Sequence, residues 1–240
     1  MTAILICNYK SYMIKSSNPF TDPQVVAHYV EGPPKAVPGF RDMQRMTRLL
    51  LAEHVPDTAR ILVLGAGGGL ELKLFAENHP HWTFEGVDPS AEMLKLARQS
   101  LGPNTDRVNF QEGYIDSAAL GPFDGAVCLL TMHFLDEKTR KQTLADVYRR
   151  LKLDAPFIMA HFSFEQEDAD ERALWLSRYS AFLNDSGVDL ASAVKASAAI
   201  NERLHILTPQ QDETLIHDAG FKNLSLFYAS FTYRGWVAYA

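Results

Sequence analysis

The chain has 240 residues and a formal net charge of -6, with 47% hydrophobic and 22% charged residues. This composition fits a globular chain with one elaborated domain rather than two equal ones, and it gives no electrostatic footprint for nucleic acid. The apolar stretch Ala3–Cys7 is too short to cross a membrane or to form a signal core. The two cysteines, Cys7 and Cys128, lie far apart, and Cys128 falls in an apolar run. A buried thiol in a reducing, cytoplasmic setting is therefore predicted.

The start of the chain is interpreted as an N-terminal extension and helical cap over residues 1–56. Residues 1–20 show no clear period. Asp22-Pro23 has the form of an N-cap followed by a first-turn proline, which predicts a short helix through Tyr29. A longer amphipathic helix is predicted over residues 40–54, where apolar side chains recur on one face.

The central motif is an apolar strand that continues directly into glycines. Ile61–Leu64 is followed by Gly65-Ala66-Gly67-Gly68-Gly69, and a helical pattern begins at Leu70. A strand, a glycine turn and a helix in this order open a nucleotide-binding βα unit, in which backbone N–H groups at the start of the helix face the ligand. A plain loop can share this composition, so a second signal is needed.

That second signal lies at the end of the next predicted strand. The segment Trp82–Val87 is apolar enough for a strand, and it ends at Asp88-Pro89-Ser90. An acidic residue about 20 positions beyond the glycines, at the tip of the second strand, is placed to bind ribose hydroxyls. The two signals together indicate a nucleoside site.

Strands and helices continue to alternate through residue 160. Further strands are predicted over residues 107–111, 123–130 and 155–160, with Ser90 and Asp136 as helix N-caps. This alternation indicates a parallel sheet that helices cover on both faces.

The pattern changes after the fifth strand. Residues 166–204 are predicted to form a helical insertion without strands, and Thr208-Pro209 caps a last helix. Two closing strands, over residues 224–228 and 236–239, are predicted to form an antiparallel hairpin. The main domain is accordingly assigned to residues 57–240.

Over residues 35–240 the chain resembles the class I S-adenosylmethionine-dependent methyltransferases. The resemblance is carried by the glycine loop, Asp88-Pro89-Ser90 with Met93, Phe123-Asp124 at the start of strand four, and the antiparallel pair. It implies a doubly wound, Rossmann-like α/β fold with seven strands, of which one is antiparallel. It also implies that S-adenosyl-L-methionine is the cofactor and S-adenosylhomocysteine its product. The implied cofactor-binding residues are Phe40, Gly65, Ala66, Gly67, Asp88, Pro89, Met93, Tyr114, Ile115, Asp116, Leu129, Leu130 and Thr131.

A closer likeness is to the carboxy-S-adenosylmethionine synthase branch. Val37-Pro38-Gly39-Phe40, Phe162-Ser163-Phe164-Glu165 and the aromatic closing hairpin resemble its pattern, which implies that Phe40 touches the cofactor. That branch also holds a carboxylate with an arginine from the helical insertion. Here the corresponding stretch is Ala196–Ala199, and Arg203 follows a few residues later. This departure favours ordinary methyl transfer over carboxyl chemistry.

A second departure touches the central motif. Many members of the family carry an acidic residue two positions before the first glycine, where it helps to anchor the amino group of the cofactor. That position is Val63 in this chain. Glu71 is not expected to replace the missing acid, because it lies beyond the loop on the following helix.

His133 and His161 are the candidate general bases, because they follow strands four and five at the edge of the sheet where ligands bind. A structural role is the alternative for each, since a lone histidine is often a hydrogen-bonding partner in the core. The remaining histidines show no metal-ligand spacing, and no metal is predicted. The Asn/Asp-Pro-Pro-Tyr signature is missing, which disfavours nucleic-acid bases and protein glutamine as substrates.

The sequence therefore predicts a methyltransferase that acts on oxygen or nitrogen of a small-molecule acceptor. The alternatives are a carboxy-S-adenosylmethionine-type synthase, an NAD(P)-dependent oxidoreductase and a non-catalytic nucleoside-binding protein. The oxidoreductase is disfavoured because Leu70 stands where G-x-G-x-x-G requires its last glycine. No membrane or nucleic-acid partner is expected, and the closing hairpin is a candidate contact in a homodimer.

Overall fold

The structure is a computed structural model that describes residues 19–240; Ala3–Cys7 and the rest of residues 1–18 lie outside the described residues. The seven strands are β1 (Arg60–Leu64), β2 (Thr83–Asp88), β3 (Val108–Glu112), β4 (Gly125–Leu129), β5 (Pro156–Phe162), β6 (Lys222–Ser230) and β7 (Tyr233–Tyr239). They form one sheet in the order β3-β2-β1-β4-β5-β7-β6.

The α-helices of the described residues are α1 (Pro23–Val26), α2 (Gly32–Ala36), α3 (Phe40–Ala52), α4 (Leu70–Asn78), α5 (Ala91–Leu101), α6 (Glu137–Tyr148), α7 (Ala169–Asp185), α8 (Leu190–Arg203) and α9 (Pro209–Asp218). The predicted helix through Tyr29 is broken in two. Its first turn is α1, and a separate 3-10 turn spans Tyr29–Glu31. Across residues 19–240, no helix has the length and apolarity that a membrane span requires.

The fold class predicted from the sequence is confirmed. Strands β1 to β5 are mutually parallel, whereas β7 runs antiparallel to both β5 and β6. The sheet is therefore mostly parallel with one antiparallel strand, and β6 and β7 form the predicted hairpin through the short turn after Ser230.

The alternation of side chains along β1 divides the core into two halves. Ile61 and Val63 point into the half that packs against α3, α4 and α5, while Leu62 and Leu64 point into the half covered by α6 and α9. All four side chains are buried. Because successive side chains of a strand face opposite sides, a continuous apolar run is what a strand covered on both faces requires.

Three predicted N-caps are present with the expected hydrogen bonds. The side chains of Ser90 and Asp136 accept from backbone N–H groups in the first turns of α5 and α6. Thr208 accepts from Gln211 N–H in α9, and the Gln211 side chain bonds back to form a capping box. Such caps satisfy N–H groups that lack a partner within the helix.

Candidate functional site

A cavity of about 430 Å³ opens at the carboxyl ends of β1, β2, β3 and β4. Strand ends contribute Leu64, Gly65, Gly67, Val87, Asp88, Pro89, Gly113, Tyr114, Ile115, Leu129, Leu130 and Thr131. Helices and N-terminal segments contribute Phe20, Tyr29, Phe40, Gln44, Leu70, Glu71, Ser90, Met93, Phe134, Leu135, Thr143, Arg203 and Leu204. The carboxyl ends of parallel strands are where open α/β sheets bind ligands.

The glycine turn is tied to the end of β2 by its own backbone. Gly65 N–H and Ala66 N–H both donate to Val87 O, at 2.8 and 2.9 Å, and Gly67 N–H donates to Asp88 Oδ2 at 2.9 Å. Gly65, Gly67 and Gly69 have positive φ angles of 74°, 50° and 78°, which glycine adopts without strain. The expectation that the turn's N–H groups face a ligand is therefore corrected for these three donors, because they are already bonded within the protein.

Asp88 lies at the tip of β2 and faces the cavity. Its Oδ1 accepts from Ser90 N–H at 2.9 Å and its Oδ2 from Gly67 N–H at 2.9 Å. Burial raises the pKa of this carboxyl, whereas the two backbone donors act in the opposite direction. Each carboxylate oxygen has more than one lone pair, so both retain capacity to accept from a hydroxyl.

Glu71 is a cavity residue that the sequence interpretation excluded. It lies in the first turn of α4, directly after the glycine turn, and only 8% of the residue is exposed. Burial raises the pKa of its carboxyl to about 8; its own backbone N–H opposes the shift and the charge of Asp88 reinforces it. The Tyr29 hydroxyl faces the same region, and burial together with Glu71 and Asp88 raises its pKa.

The structure brings most of the predicted cofactor-binding residues together. Those that line the cavity are Phe40, Gly65, Gly67, Asp88, Pro89, Met93, Tyr114, Ile115, Leu129, Leu130 and Thr131. Ala66 and Asp116 do not. Ala66 is buried, and its N–H bonds to β2, while Asp116 is exposed in the 3-10 turn Ile115–Ser117.

The structure places His133 and His161 away from the cavity lining, and this corrects the prediction that they act as general bases. His133 is 4% exposed, and its Nδ1 accepts from Phe162 N–H at 3.3 Å. Burial, with His161 and Arg140 nearby, holds the pKa of His133 well below its usual value. His161 is completely buried. Its position in β5 directs it toward the core half covered by α6 and α9.

His161 belongs to a buried charged cluster with Arg140 and Asp212. Its Nε2 lies 3.1 Å from Asp212 Oδ2, and Arg140 Nη1 donates to Asp212 Oδ1 at 2.6 Å. All three side chains are inaccessible to solvent. Although burial acts to raise it, His161 and Arg140 hold the pKa of Asp212 below its ordinary value. The cluster joins α6, α9 and β5, which indicates a structural role.

Segments outside the sheet complete the cavity wall. The Phe20 ring lies edge-on to Tyr29 and Phe134, and the Ser90 hydroxyl donates to the Phe20 carbonyl. Arg203 ends α8, close to the segment after β4, where His205 N–H bonds to His133 O at 2.9 Å. These residues lie outside the sequence motifs and could not be placed at a site from them, although Arg203 was noted within the helical insertion.

The polar wall residues are available for a ligand. Within residues 19–240, no carboxylate forms an ion pair with Arg203, and the buried Gln44 amide has no hydrogen-bonding partner. Over the same residues, no three His, Cys, Asp or Glu side chains come together as a metal site would require. Arg203 is also the only Lys, Arg or His side chain among the described lining residues.

Comparison with known proteins agrees with this geometry. The sequence signature of the methyltransferase-domain family matches residues 61–154. The carboxy-S-adenosyl-L-methionine synthase of Chromohalobacter salexigens is 25% identical over 222 residues, which cover 91% of this chain and 82% of that protein.

Solved structures of methyltransferases share the fold at low identity. Human N-acetylserotonin methyltransferase in complex with S-adenosylmethionine matches 99% of this chain and 65% of its own, with a TM-score of 0.63 and 16% identity. Magnesium protoporphyrin IX methyltransferase of Synechocystis PCC 6803, with bound S-adenosylhomocysteine, matches 86% of this chain and 85% of its own, with a TM-score of 0.60 and 14% identity.

Proposed function

We propose that this chain, a class I S-adenosylmethionine-dependent methyltransferase, transfers a methyl group to oxygen or nitrogen of a small molecule. The observation that carries the proposal is the single cavity that joins the motif residues to a wall of aromatic and polar side chains. Its volume of about 430 Å³ is in the range of small-molecule sites. One cationic side chain in the described lining does not fit a nucleic-acid backbone, which needs several.

The residues of the cavity fit the cofactor. Asp88 is buried and fixed by two backbone N–H groups, so it presents its remaining lone pairs to the ribose hydroxyls in one orientation. Met93, Tyr114 and Ile115 supply apolar surface for the adenine. Leu129, Leu130 and Thr131 form the wall at the end of β4. When bound, S-adenosylmethionine supplies the activated methyl group on its sulfonium.

The rate of methyl transfer depends mainly on how the site positions the acceptor and excludes water. A sulfonium leaves without needing a proton, so the chain has to hold the acceptor in line and keep water out. Phe20, Phe40 and Phe134 are placed to exclude water. His133 and His161 do not reach the cavity, so an acceptor that loses its proton easily fits this site better than a poorly ionised one.

A carboxyl-transferring synthase is the second candidate. Two observations favour it: the likeness to the carboxy-S-adenosyl-L-methionine synthase of Chromohalobacter salexigens, and Arg203, which reaches the cavity from the helical insertion. Against it, the stretch that corresponds to the expected arginine is Ala196–Ala199. Mass spectrometry of nucleoside that co-purifies with the protein separates the two, because the carboxylated cofactor is heavier than the ordinary one.

The proposal is tested by calorimetry of the purified protein with S-adenosylhomocysteine and with NAD(P). We expect the thioether nucleoside to bind and NAD(P) not to bind. Binding of NAD(P) alone would end the methyltransferase proposal. A screen of small acceptors with radiolabelled S-adenosylmethionine then follows transfer of label to the acceptor.

Replacing Asp88 by alanine is expected to weaken binding of S-adenosylhomocysteine by about 1.5–3 kcal/mol, because charge-assisted hydrogen bonds to the ribose are lost. Calorimetry gives the change, and thermal unfolding checks that the turn still folds. Glu112→Ala at the end of β3 is the matched control, since Glu112 is exposed and does not line the cavity. If Asp88→Ala and the control bind S-adenosylhomocysteine with equal affinity, the ribose binds elsewhere than at Asp88.

We also propose a reducing, cytoplasmic setting for the protein and a homodimer. A reducing, cytoplasmic setting is supported by the free Cys128 thiol, which is fully buried and whose pKa burial raises to about 12. A homodimer through the closing hairpin is supported by its position at the edge of the sheet and by Leu226 on β6, which is 54% exposed. Light scattering during gel filtration measures the oligomeric state.

A further inference from the structure

The end of the cavity nearest the glycine turn carries acidic groups without a cation. Glu71 comes from α4, Asp88 from β2 and the Tyr29 hydroxyl from the 3-10 turn Tyr29–Glu31. The charge of Glu71 also acts on the Cys128 thiol of β4, which is buried outside the cavity lining. These are the titratable groups that act on Glu71 from the elements around it. Arg203 is the only cationic side chain in the described lining, and it forms no ion pair with Glu71.

Glu71 differs from Asp88 in how its carboxyl is satisfied. Asp88 accepts two hydrogen bonds from neighbouring backbone, whereas within the described part of the chain the Glu71 carboxyl is hydrogen-bonded only to its own N–H. A carboxyl that is more than nine-tenths buried, lines a cavity and has no cationic partner is costly to ionise unless a ligand supplies a positive charge.

The position of Glu71 in the cavity indicates that it contacts the amino-acid part of the ligand. The first N–H groups of the glycine turn are consumed by Val87 and Asp88, and Val63 leaves no acid on β1. Asp88 is assigned to the ribose. Glu71 directly follows the glycine turn, and the turn lies against the segment after β4, where the Thr131 side chain packs on Gly65. Glu71 is therefore the carboxyl available beyond the ribose, toward the amino-acid end.

We propose that the Glu71 carboxyl pairs with the ammonium of the cofactor's methionine part and releases its proton to solvent as the cofactor binds. This rests on the proposed function, since it assumes a nucleoside with an amino-acid tail. The free carboxyl keeps its proton because burial and Asp88 disfavour a second negative charge. The ammonium removes that penalty, so binding and deprotonation are coupled.

The sign of the pH dependence follows from this coupling. A bound ammonium lowers the pKa of Glu71 from about 8, so binding releases a proton at neutral pH and affinity rises as the pH rises toward 8. Between pH 6 and pH 7 the increase is expected to be about tenfold. Above about pH 8 the Glu71 carboxyl of the free protein is already ionised, so binding no longer releases a proton and the increase ends.

The test is calorimetry of the ligand-free protein with S-adenosylhomocysteine at pH 6.5, in buffers of different ionisation enthalpy. The wild type is expected to release on the order of one proton per site. Glu71→Gln is expected to release far less, to lose the pH dependence, and to bind about tenfold more weakly at pH 7.5. Glu77→Gln is the matched control, because Glu77 lies on the exposed side of the same helix in a surface pair with Lys73.

A second ligand separates the ammonium from the rest of the nucleoside. 5′-Methylthioadenosine has no amino-acid part, so its affinity is expected to be the same for the wild type and Glu71→Gln, with little proton release. If S-adenosylhomocysteine binds but releases no proton from the wild type, the Glu71 proposal is overturned and the proposed function stands. If S-adenosylhomocysteine does not bind, both the proposed function and the Glu71 proposal are overturned.

Discussion

Replacing Asp212 by alanine is expected to lower the free energy of unfolding by about 3–5 kcal/mol. Asp212 lies between Arg140 and His161 with no exposed surface on any of the three side chains. Its removal leaves the Arg140 guanidinium in the core, where the carbonyls of Leu135 and His205 are its remaining partners among residues 19–240. A buried charge without its counterion costs much more than an exposed one, because water cannot replace the lost partner.

The same two helices offer a matched control for Asp212→Ala. Lys141 of α6 and Asp218 of α9 form a surface pair at 2.9 Å, and both side chains are about half exposed. Asp218→Ala is expected to leave the free energy of unfolding nearly unchanged, since water replaces the lost partner. Urea unfolding of both variants gives the comparison. Similar small losses would show that the buried cluster does not hold α6 and α9 together.

The contribution of Asp212 to the free energy of unfolding also depends on pH, and it decreases in acid. Its pKa in the folded protein lies below the unfolded value of about 3.9. The stabilisation is therefore complete at neutral pH and is lost as the pH falls through the folded pKa. The difference in stability between the wild type and Asp212→Ala should accordingly narrow only in strongly acidic solution.

Replacing Gly69 by alanine is expected to cost about 2–5 kcal/mol of unfolding free energy, from left-handed strain and overpacking together. Gly69 has φ +78°, and a Cβ at this position would lie 2.9 Å from Ala97 Cα and 3.2 Å from Ala97 O. These atoms are backbone of α5, so the contact is relieved only by moving the glycine turn away from that helix. Urea unfolding measures the loss.

Gly39→Ala separates the two contributions. Gly39 is also an N-cap in the left-handed region, with φ +69°, but a Cβ there would meet only a Tyr228 ring carbon at 3.9 Å. This variant is expected to show the strain alone, about 1–2 kcal/mol. If the two glycine variants lose the same stability, close packing of the turn on α5 is not what requires Gly69.

The sequence was sufficient to predict the fold and the position of Asp88 at the end of β2, because both depend on local patterns. A strand covered on two faces must be apolar throughout, so Ile61–Leu64 and the run before Leu130 could be recognised from the chain alone. Asp88 could be recognised because it ends such a strand. The fold class predicted from these features is confirmed by the sheet order, and the methyltransferase-domain signature over residues 61–154 agrees with the predicted methyltransferase.

Side-chain direction was the main source of error. Position at the end of a strand suggested that His161 faces a ligand, but alternation along β5 directs it to the half of the core that contains Asp212. Glu71 was excluded because it follows the loop, although the first turn of a helix remains at the rim of the cavity. Arg203 could not be placed, because its position depends on how α8 packs and not on a motif.

The wall of the cavity comes from parts of the chain that the sheet does not need. Part of the lining comes from segments before β1 or after β5, namely Phe20, Tyr29, Gln44 and Arg203. The lining residues at the strand ends, among them Gly65 and Asp88, lie between these segments in the chain. The two parts of the cavity lining therefore come from separate portions of one chain. A library randomised at these four positions alone leaves the strand ends of the cavity unchanged, which makes this scaffold suited to directed evolution.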